Sequence, residues 1–257
     1  MHSTLFTIYG LPVHAYGLMM VVGFLLGLWR ASRISKKRYG VDPERVYDLA
    51  LVLLVSGIIG SRIVYVLINP GEESLRDFLA VWQGGLSFHG GLIFALLAGV
   101  IYCKFARLSF LDCADLFAPS LAIGYAFTRI GCFLNGCCYG SPTNLPWGVR
   151  FLDNGVLTPP SHPAQLYAFA ANMIILLLLV KLEKLHRKPG FVLVGYVGLY
   201  STYRFLVEFL RSGYTAKLFA LGLTQAQWVS VGAIIISAAL LMTVYRKAAL
   251  KTPAADR

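Results

Sequence analysis

Acidic residues are scarce in this sequence: Asp and Glu together number 12 in 257 residues, against 23 Lys and Arg. Charge of either sign is thin, at 14% of residues where soluble domains carry roughly 25%. That composition excludes an ordinary water-soluble domain. No internal repeat is visible, so the inverted-repeat sign of many secondary transporters is absent. Low-complexity sequence is confined to the short tail Lys251–Arg257. Cysteine is limited to five residues, and no accompanying ligand spacing marks a metal site, so none is expected. The first apolar run is followed, not preceded, by cations, the reverse of a cleaved secretory signal.

What the chain has instead is apolar sequence. Hydrophobic residues make up 57% and mean hydropathy is +0.67. A bilayer crossing takes about 20 such residues. Seven candidate spans follow: 14–32, 47–68, 87–103, 114–133, 165–182, 190–209 and 226–245. The third is short and opens with Ser87-Phe88-His89-Gly90-Gly91, which suggests a tilted or partly re-entrant segment. The expected fold is an all-α integral membrane protein, a single polytopic domain over 1–257.

The net charge of +11 would suit nucleic acid, but its distribution does not. Cations cluster in alternate connections: Arg30, Arg33, Lys36, Lys37, Arg38 and Arg45; Lys104 and Arg107; Lys181, Lys184, Arg187 and Lys188; Arg246, Lys247, Lys251 and Arg257. The other connections balance Arg76, Arg150, Arg211 and Lys217 with Glu72, Glu73, Asp77 and Asp153. The positive-inside rule makes the basic connections cytoplasmic, the N-terminus external and the C-terminus cytoplasmic. The longest outer connection, 134–164, holds turn-formers such as Asn135-Gly136, Ser141-Pro142 and Asp153-Asn154-Gly155, with Trp147, Val149, Phe151 and Leu157 among them. It is expected to fold as a small extracytoplasmic cap.

This topology carries polar groups to one outer level. His14 and Tyr16 start the first span, Arg62 lies in the outer half of the second, and His89 opens the third. Arg129 ends the fourth, within Thr128-Arg129-Ile130-Gly131-Cys132-Phe133-Leu134-Asn135-Gly136-Cys137-Cys138-Tyr139-Gly140. Arg204, Glu208 and Arg211 share a helical face at the end of the sixth. An arginine at membrane depth costs about 2.5–3.5 kcal/mol on insertion scales, which makes each a functional candidate. Guanidinium binds phosphate through two oxygens at once, and the abundant phosphate there is a lipid headgroup. Histidine suits proton transfer near neutral pH, and His89 and His14 compete for that role. Cys137 and Cys138 leave open a membrane thiol oxidoreductase, and the arginines a lipid or anion transporter.

The quoted block is one of several that together resemble a known family. The others are His14-Ala15-Tyr16-Gly17, Gly60-Ser61-Arg62, Phe88-His89-Gly90-Gly91, His162-Pro163-Ala164-Gln165-Leu166-Tyr167, Arg204 to Arg211, and Leu223-Thr224-Gln225-Ala226-Gln227-Trp228. The chain resembles prolipoprotein diacylglyceryl transferases over nearly its whole length. The resemblance implies transfer of the diacylglyceryl group of phosphatidylglycerol to the lipobox cysteine of a prolipoprotein signal peptide, forming a thioether and releasing glycerol phosphate. It implies the bacterial cytoplasmic (inner) membrane, a site facing outward, and no cofactor. Arg129 and Arg204 are then the phosphate ligands and His89 the base, with Tyr16 and Gly140 in the site. Arg62, Asp115, Asn135, Glu208 and Arg211 match further motif positions, and His14 completes the expected lipid contacts. Cys132, the Cys137-Cys138 pair and Ala168 depart from the family pattern.

Overall fold

The computed structural model describes residues 4–8, 11–69, 85–153, 155–185, 188–211 and 220–245. Glu72, Glu73, Arg76, Asp77, Asn154, Arg187, Lys217, Arg246, Lys247 and the tail Lys251–Arg257 lie outside them. Seven long helices dominate: α1 (Ala15–Tyr39), α2 (Pro43–Ile68), α3 (Phe88–Phe105), α4 (Phe110–Asn135), α5 (Ala164–Glu183), α6 (Phe191–Glu208) and α7 (Gln225–Leu240). All but α6 have the length and apolarity of a bilayer crossing, α7 together with the π-helical turn Leu241–Tyr245 that continues it. The α6 segment falls where the sixth span is expected. Tyr196, Tyr200, Tyr203, Arg204 and Glu208 dilute its hydropathy below that of the other six. The third span is one continuous 18-residue helix. Leu51, Leu97, Ile174, Leu177, Val229 and Ile236 are exposed, as expected of helices whose solvent is lipid. The protein is a multi-pass, all-α membrane protein.

Two differences from the sequence reading are local. Arg30, Arg33, Lys36, Lys37 and Arg38 sit on the last turns of α1 rather than in a connection. Lys36, Lys37 and Arg38, in the last turn, complement the partial negative charge of a helix C-terminus. Upstream of α1, β1 (Thr4–Ile8) pairs antiparallel with β2 (Leu11–His14), a ribbon no apolar-run search would find. A second ribbon joins β3 (Leu152–Asp153) and β4 (Val156–Leu157).

The chain forms two compact units, one of residues 30–113 and one of 1–29 with 114–257. In the first, α2 and α3 cross on glycines. A side chain at Gly60 would overlap the Phe94 ring, and one at Gly90 would meet the Gly60 carbonyl and Val64. Gly91 lies over the Gly57 carbonyl. The glycines after His89 thus serve close helix packing, the small-residue logic of membrane interfaces.

In the second unit, α4 is the most enclosed span. Gly23 and Gly27 bring α1 against Gly124, Phe127 and Ser120, and the Ser120 hydroxyl donates to the Gly27 carbonyl at 2.8 Å. On another side, Ala118 and Ala122 of α4 meet Ile175 and Leu179 of α5 and Val192 of α6. Asp115 decides where α6 begins. Its carboxylate accepts from the Gly190 and Leu193 amides at 2.8 and 2.7 Å. Gly190, at the N-cap, has no side chain to do this. Asp115, one of the matched motif positions, therefore caps a helix from a neighbouring one. Asp115→Ala leaves one buried and one half-buried amide unpaired and is expected to destabilise by about 2–3 kcal/mol. Thermal unfolding in detergent checks this, with a lowered midpoint expected.

Candidate active site

The site grows from the C-terminal end of α4. Gly136 takes φ +79°, the left-handed conformation that closes a helix, and its amide bonds the Phe133 carbonyl at 3.1 Å. The Cys137 amide bonds the Cys132 carbonyl at 3.1 Å. Cys138 is also left-handed, at φ +65°, a rare conformation for a residue with a side chain. The chain then runs back over the helix ends. The Gly140 amide donates to the His162 carbonyl at 2.8 Å, and the Ser141 amide to the Leu210 carbonyl at 2.8 Å. Only glycine fits at 140, because any Cβ would fall onto the Leu210 carbonyl oxygen. Gln165, fully buried, donates to the Cys137 carbonyl at 2.7 Å. This is the physical sense of the His162–Tyr167 motif: its backbone and glutamine fix the turn that follows Arg129.

The 134–164 connection carries its own packing. Phe151 is fully buried, stacked on Tyr139 with ring centroids 5.0 Å apart and edge-on to Phe133 at 5.9 Å. The Trp147 indole donates to the Tyr167 hydroxyl at 2.8 Å.

Arg129 sits at the last turns of α4 with its guanidinium 4.6 Å from the centroid of the Tyr125 ring, one turn earlier. Tyr125 is in turn packed edge-on by Tyr200 and Tyr203 of α6, at 5.3 and 6.3 Å. Among the described residues no carboxylate pairs with Arg129, and its buried Nε has no hydrogen-bond partner. The structure thus holds a cation by its face and leaves donors of the guanidinium unused. On α1, the Tyr16 backbone packs against Gly131, two residues beyond Arg129.

At the end of α6 the acid expected on the arginine face does the organising. Glu208 is buried, forms an ion pair with Arg204 one turn back, and lies 3.8 Å from Arg211. Its other oxygen accepts from the Thr224 hydroxyl at 3.2 Å. Thr224 is the N-cap of α7, closed by a reciprocal capping box with Gln227. Gly140 and Arg211 face each other across a single β-bridge, which joins this cluster to the turn after α4. Arg129, Tyr16, Asn135, Gly140, Arg204, Glu208 and Arg211 therefore all belong to one unit. Asn135 is exposed at the helix end, and His14 is exposed at the end of β2.

Arg62 and His89 belong to the other unit. Arg62 is almost fully buried and donates to the Gly85 carbonyl at 3.0 Å, while the Ser87 amide bonds the Ser61 carbonyl at 3.0 Å. These contacts fix the entry to α3, whose second residue is the exposed His89. Its ring lies edge-on to Phe88, with centroids 5.8 Å apart.

The fold also assembles something the spacing of the cysteines did not announce. The sulfurs of Cys132, Cys137 and Cys138 all lie within 4.8 Å of one another. The Cys138 thiol is held below its usual range, first by hydrogen bonding with Cys132 and Cys137, with the positive charge of Arg129 and Arg211 adding to it.

Residues 3–243 match the family model described as prolipoprotein diacylglyceryl transferase. The chain belongs to the prolipoprotein diacylglyceryl transferase family. Its similarity to curated relatives is even and nearly end to end. It is 36% identical over 257 residues to the phosphatidylglycerol–prolipoprotein diacylglyceryl transferase of Pseudoalteromonas atlantica, covering 95% of this chain and 89% of that one. It is 34% identical to the enzyme of that name from Finegoldia magna, covering 98% and 99%, and 33% identical to that from Clostridium tetani, covering 92% and 95%. Family membership makes the chain a membrane transferase of lipoprotein biosynthesis. The transporter and oxidoreductase alternatives gain no support from these relatives.

Proposed function

We propose that this chain transfers the diacylglyceryl group of phosphatidylglycerol to the lipobox cysteine of a prolipoprotein signal peptide, at the outer face of the bacterial cytoplasmic membrane. The observation that carries the reading is Arg129. A guanidinium seated on an aromatic face, with no carboxylate partner among the described residues, is a receptor for an anion. A lipid phosphate is the anion available at that depth.

The chemistry is a displacement. The cysteine sulfur forms a bond to the glyceryl carbon as the bond from that carbon to the phosphate oxygen breaks. The electron pair leaves with glycerol phosphate. Negative charge therefore grows on the phosphate oxygens as reaction proceeds, and Arg129 with Arg204 favours that charge more in the transition state than in the ground state. The thiol proton passes to His89, since the thiolate is the nucleophile and a free thiol is mostly protonated at neutral pH. Arg62, through Gly85, is a positioning residue for α3 and His89. Arg211, Asn135, Tyr16 and His14 form the polar rim around the headgroup.

A groove of about 390 Å³ on the α5–α6 face supports a lipid donor. It is lined by apolar residues that include Ile174, Leu178, Leu199 and Leu206, and it reaches Tyr203, which packs on Tyr125. Its lining suits an acyl chain whose headgroup lies at Arg129.

The test is reconstitution. Purified protein in detergent receives phosphatidylglycerol and a lipobox peptide with one cysteine, and the peptide mass is followed. A gain of one diacylglyceryl group, absent with a cysteine-to-alanine peptide, is the expected result. No gain, with a curated relative active in the same assay, would overturn the reading. His89→Gln is expected to lower turnover by about a hundredfold or more, the usual contribution of a general base. Full activity in that variant, with loss in His14→Gln, would move the base to His14.

A further inference from the structure

The three-thiol cluster has no part in the transfer chemistry, and its geometry is that of a ligand set. We propose that Cys132, Cys137 and Cys138 bind one thiophilic cation of the Zn2+ and Cd2+ kind through their sulfurs. Thiolates at the usual Zn–S distance of about 2.3 Å lie about 3.8–4.0 Å from each other around a tetrahedral or trigonal ion. Cys137 and Cys138 Sγ are 3.8 Å apart, and all three sulfurs fall within 4.8 Å. Small side-chain rotations close the set.

The backbone arranges this in three steps. Cys132 lies on the last turns of α4, buried. The left-handed Gly136 returns the chain so that the Cys137 amide reaches the Cys132 carbonyl. Cys138 then adopts its own left-handed conformation, which is strained for a residue with a side chain and persists only where the surroundings enforce it. Gln165 holds the middle of this turn by the Cys137 carbonyl.

Charge and access agree with a metal. Binding displaces thiol protons to solvent, and the positive charge of the nearby Arg129 and Arg211 offsets the excess negative charge of three sulfurs around a divalent ion. Cys138 is exposed and gives the ion a way in. A disulfide between neighbours fits less well. Cα atoms joined by a trans peptide are about 3.8 Å apart, short of the roughly 4.4 Å at which disulfides usually begin. Three thiolates leave one position of a tetrahedral ion for water or an exogenous ligand.

The readout is metal and not transfer, so it stands or falls apart from the proposed activity. Full-length protein, purified with reductant and exchanged into detergent without it, is titrated with Cd2+ while the ultraviolet thiolate-to-metal absorption is recorded. Saturation at one Cd2+ per chain, reversed by EDTA, is expected. Cys132→Ser, Cys137→Ser and Cys138→Ser should each weaken binding at least about tenfold, since even partners that only orient a ligand are worth that much. Alkylation of the unaltered protein guards against variants that fail to fold. Zn2+ should protect Cys137 and Cys138 from iodoacetamide, with buried Cys103 and Cys113 as the internal reference. Absence of stoichiometric binding, or binding unchanged in the triple serine variant, would overturn the proposal. So would isolation without reductant of a protein missing two free thiols from this cluster, which would make it a disulfide site.

Discussion

Arg129→Ala is expected to lower the turnover of diacylglyceryl transfer by about a hundred- to a thousandfold, the usual loss when a preorganised donor to developing negative charge is removed. The side chain is positioned without a counter-ion. Tyr125 holds its face at 4.6 Å, and Tyr200 and Tyr203 hold Tyr125. Because the aromatic support remains in the variant, the loss should appear in kcat more than in the folded yield. Arg129→Lys keeps a charge but gives up both the planar fork and the stack on Tyr125, so it should recover only part of the rate. Steady-state kinetics with phosphatidylglycerol in mixed micelles and a lipobox peptide provide the check. An Arg129→Ala protein with undiminished kcat would remove this arginine from the phosphate clamp. A rise in KM alone would make it a ground-state anchor, because uniform binding leaves kcat unchanged.

Periodicity and hydropathy carried the helices, because a lipid-facing helix must be apolar along its length, and six of seven long helices satisfy that demand plainly. The exception is informative: α6 spends its apolarity on Tyr200, Tyr203, Arg204 and Glu208. The arginine face of α6 was legible because i, i+3 and i+4 spacing is a property of the helix itself. Tyr125 was legible by the same spacing to Arg129 but was not singled out, since an aromatic one turn from an arginine is common on apolar helices. Thr224, Gln165 and Asp115 could not be placed from sequence. Each acts on a residue of another element: Thr224 on Glu208, Gln165 on the Cys137 carbonyl, Asp115 on the start of α6. Gly90 and Gly91, beside His89, face Gly60 and Gly57 of α2, a close backbone approach whose partner helix the sequence does not name. The cysteine cluster depends on two left-handed residues in succession around a third, and spacing alone carries no sign of that.

Glu208→Ala should be the most damaging single change outside the phosphate ligands. Glu208 is 3% exposed and is shared by Arg204, Arg211 and the Thr224 hydroxyl. Removing one partner of a buried ion pair costs about 3–5 kcal/mol, because the remaining charge is left uncompensated. Here two guanidinium groups lose their common partner at once, so stability and transfer should fall together. Glu208→Gln separates the two effects. The amide oxygen can still accept from Thr224, so part of the stability should return, but Arg204 is no longer paired and its aim toward the headgroup is released. Transfer in Glu208→Gln should therefore stay low while the unfolding midpoint recovers. A double-mutant cycle of Arg204→Ala and Glu208→Ala gives the direct measure. The pair shares one network, so its coupling energy should be of order 0.5–3 kcal/mol. Strict additivity of the two losses would show that Arg204 is oriented by something other than Glu208.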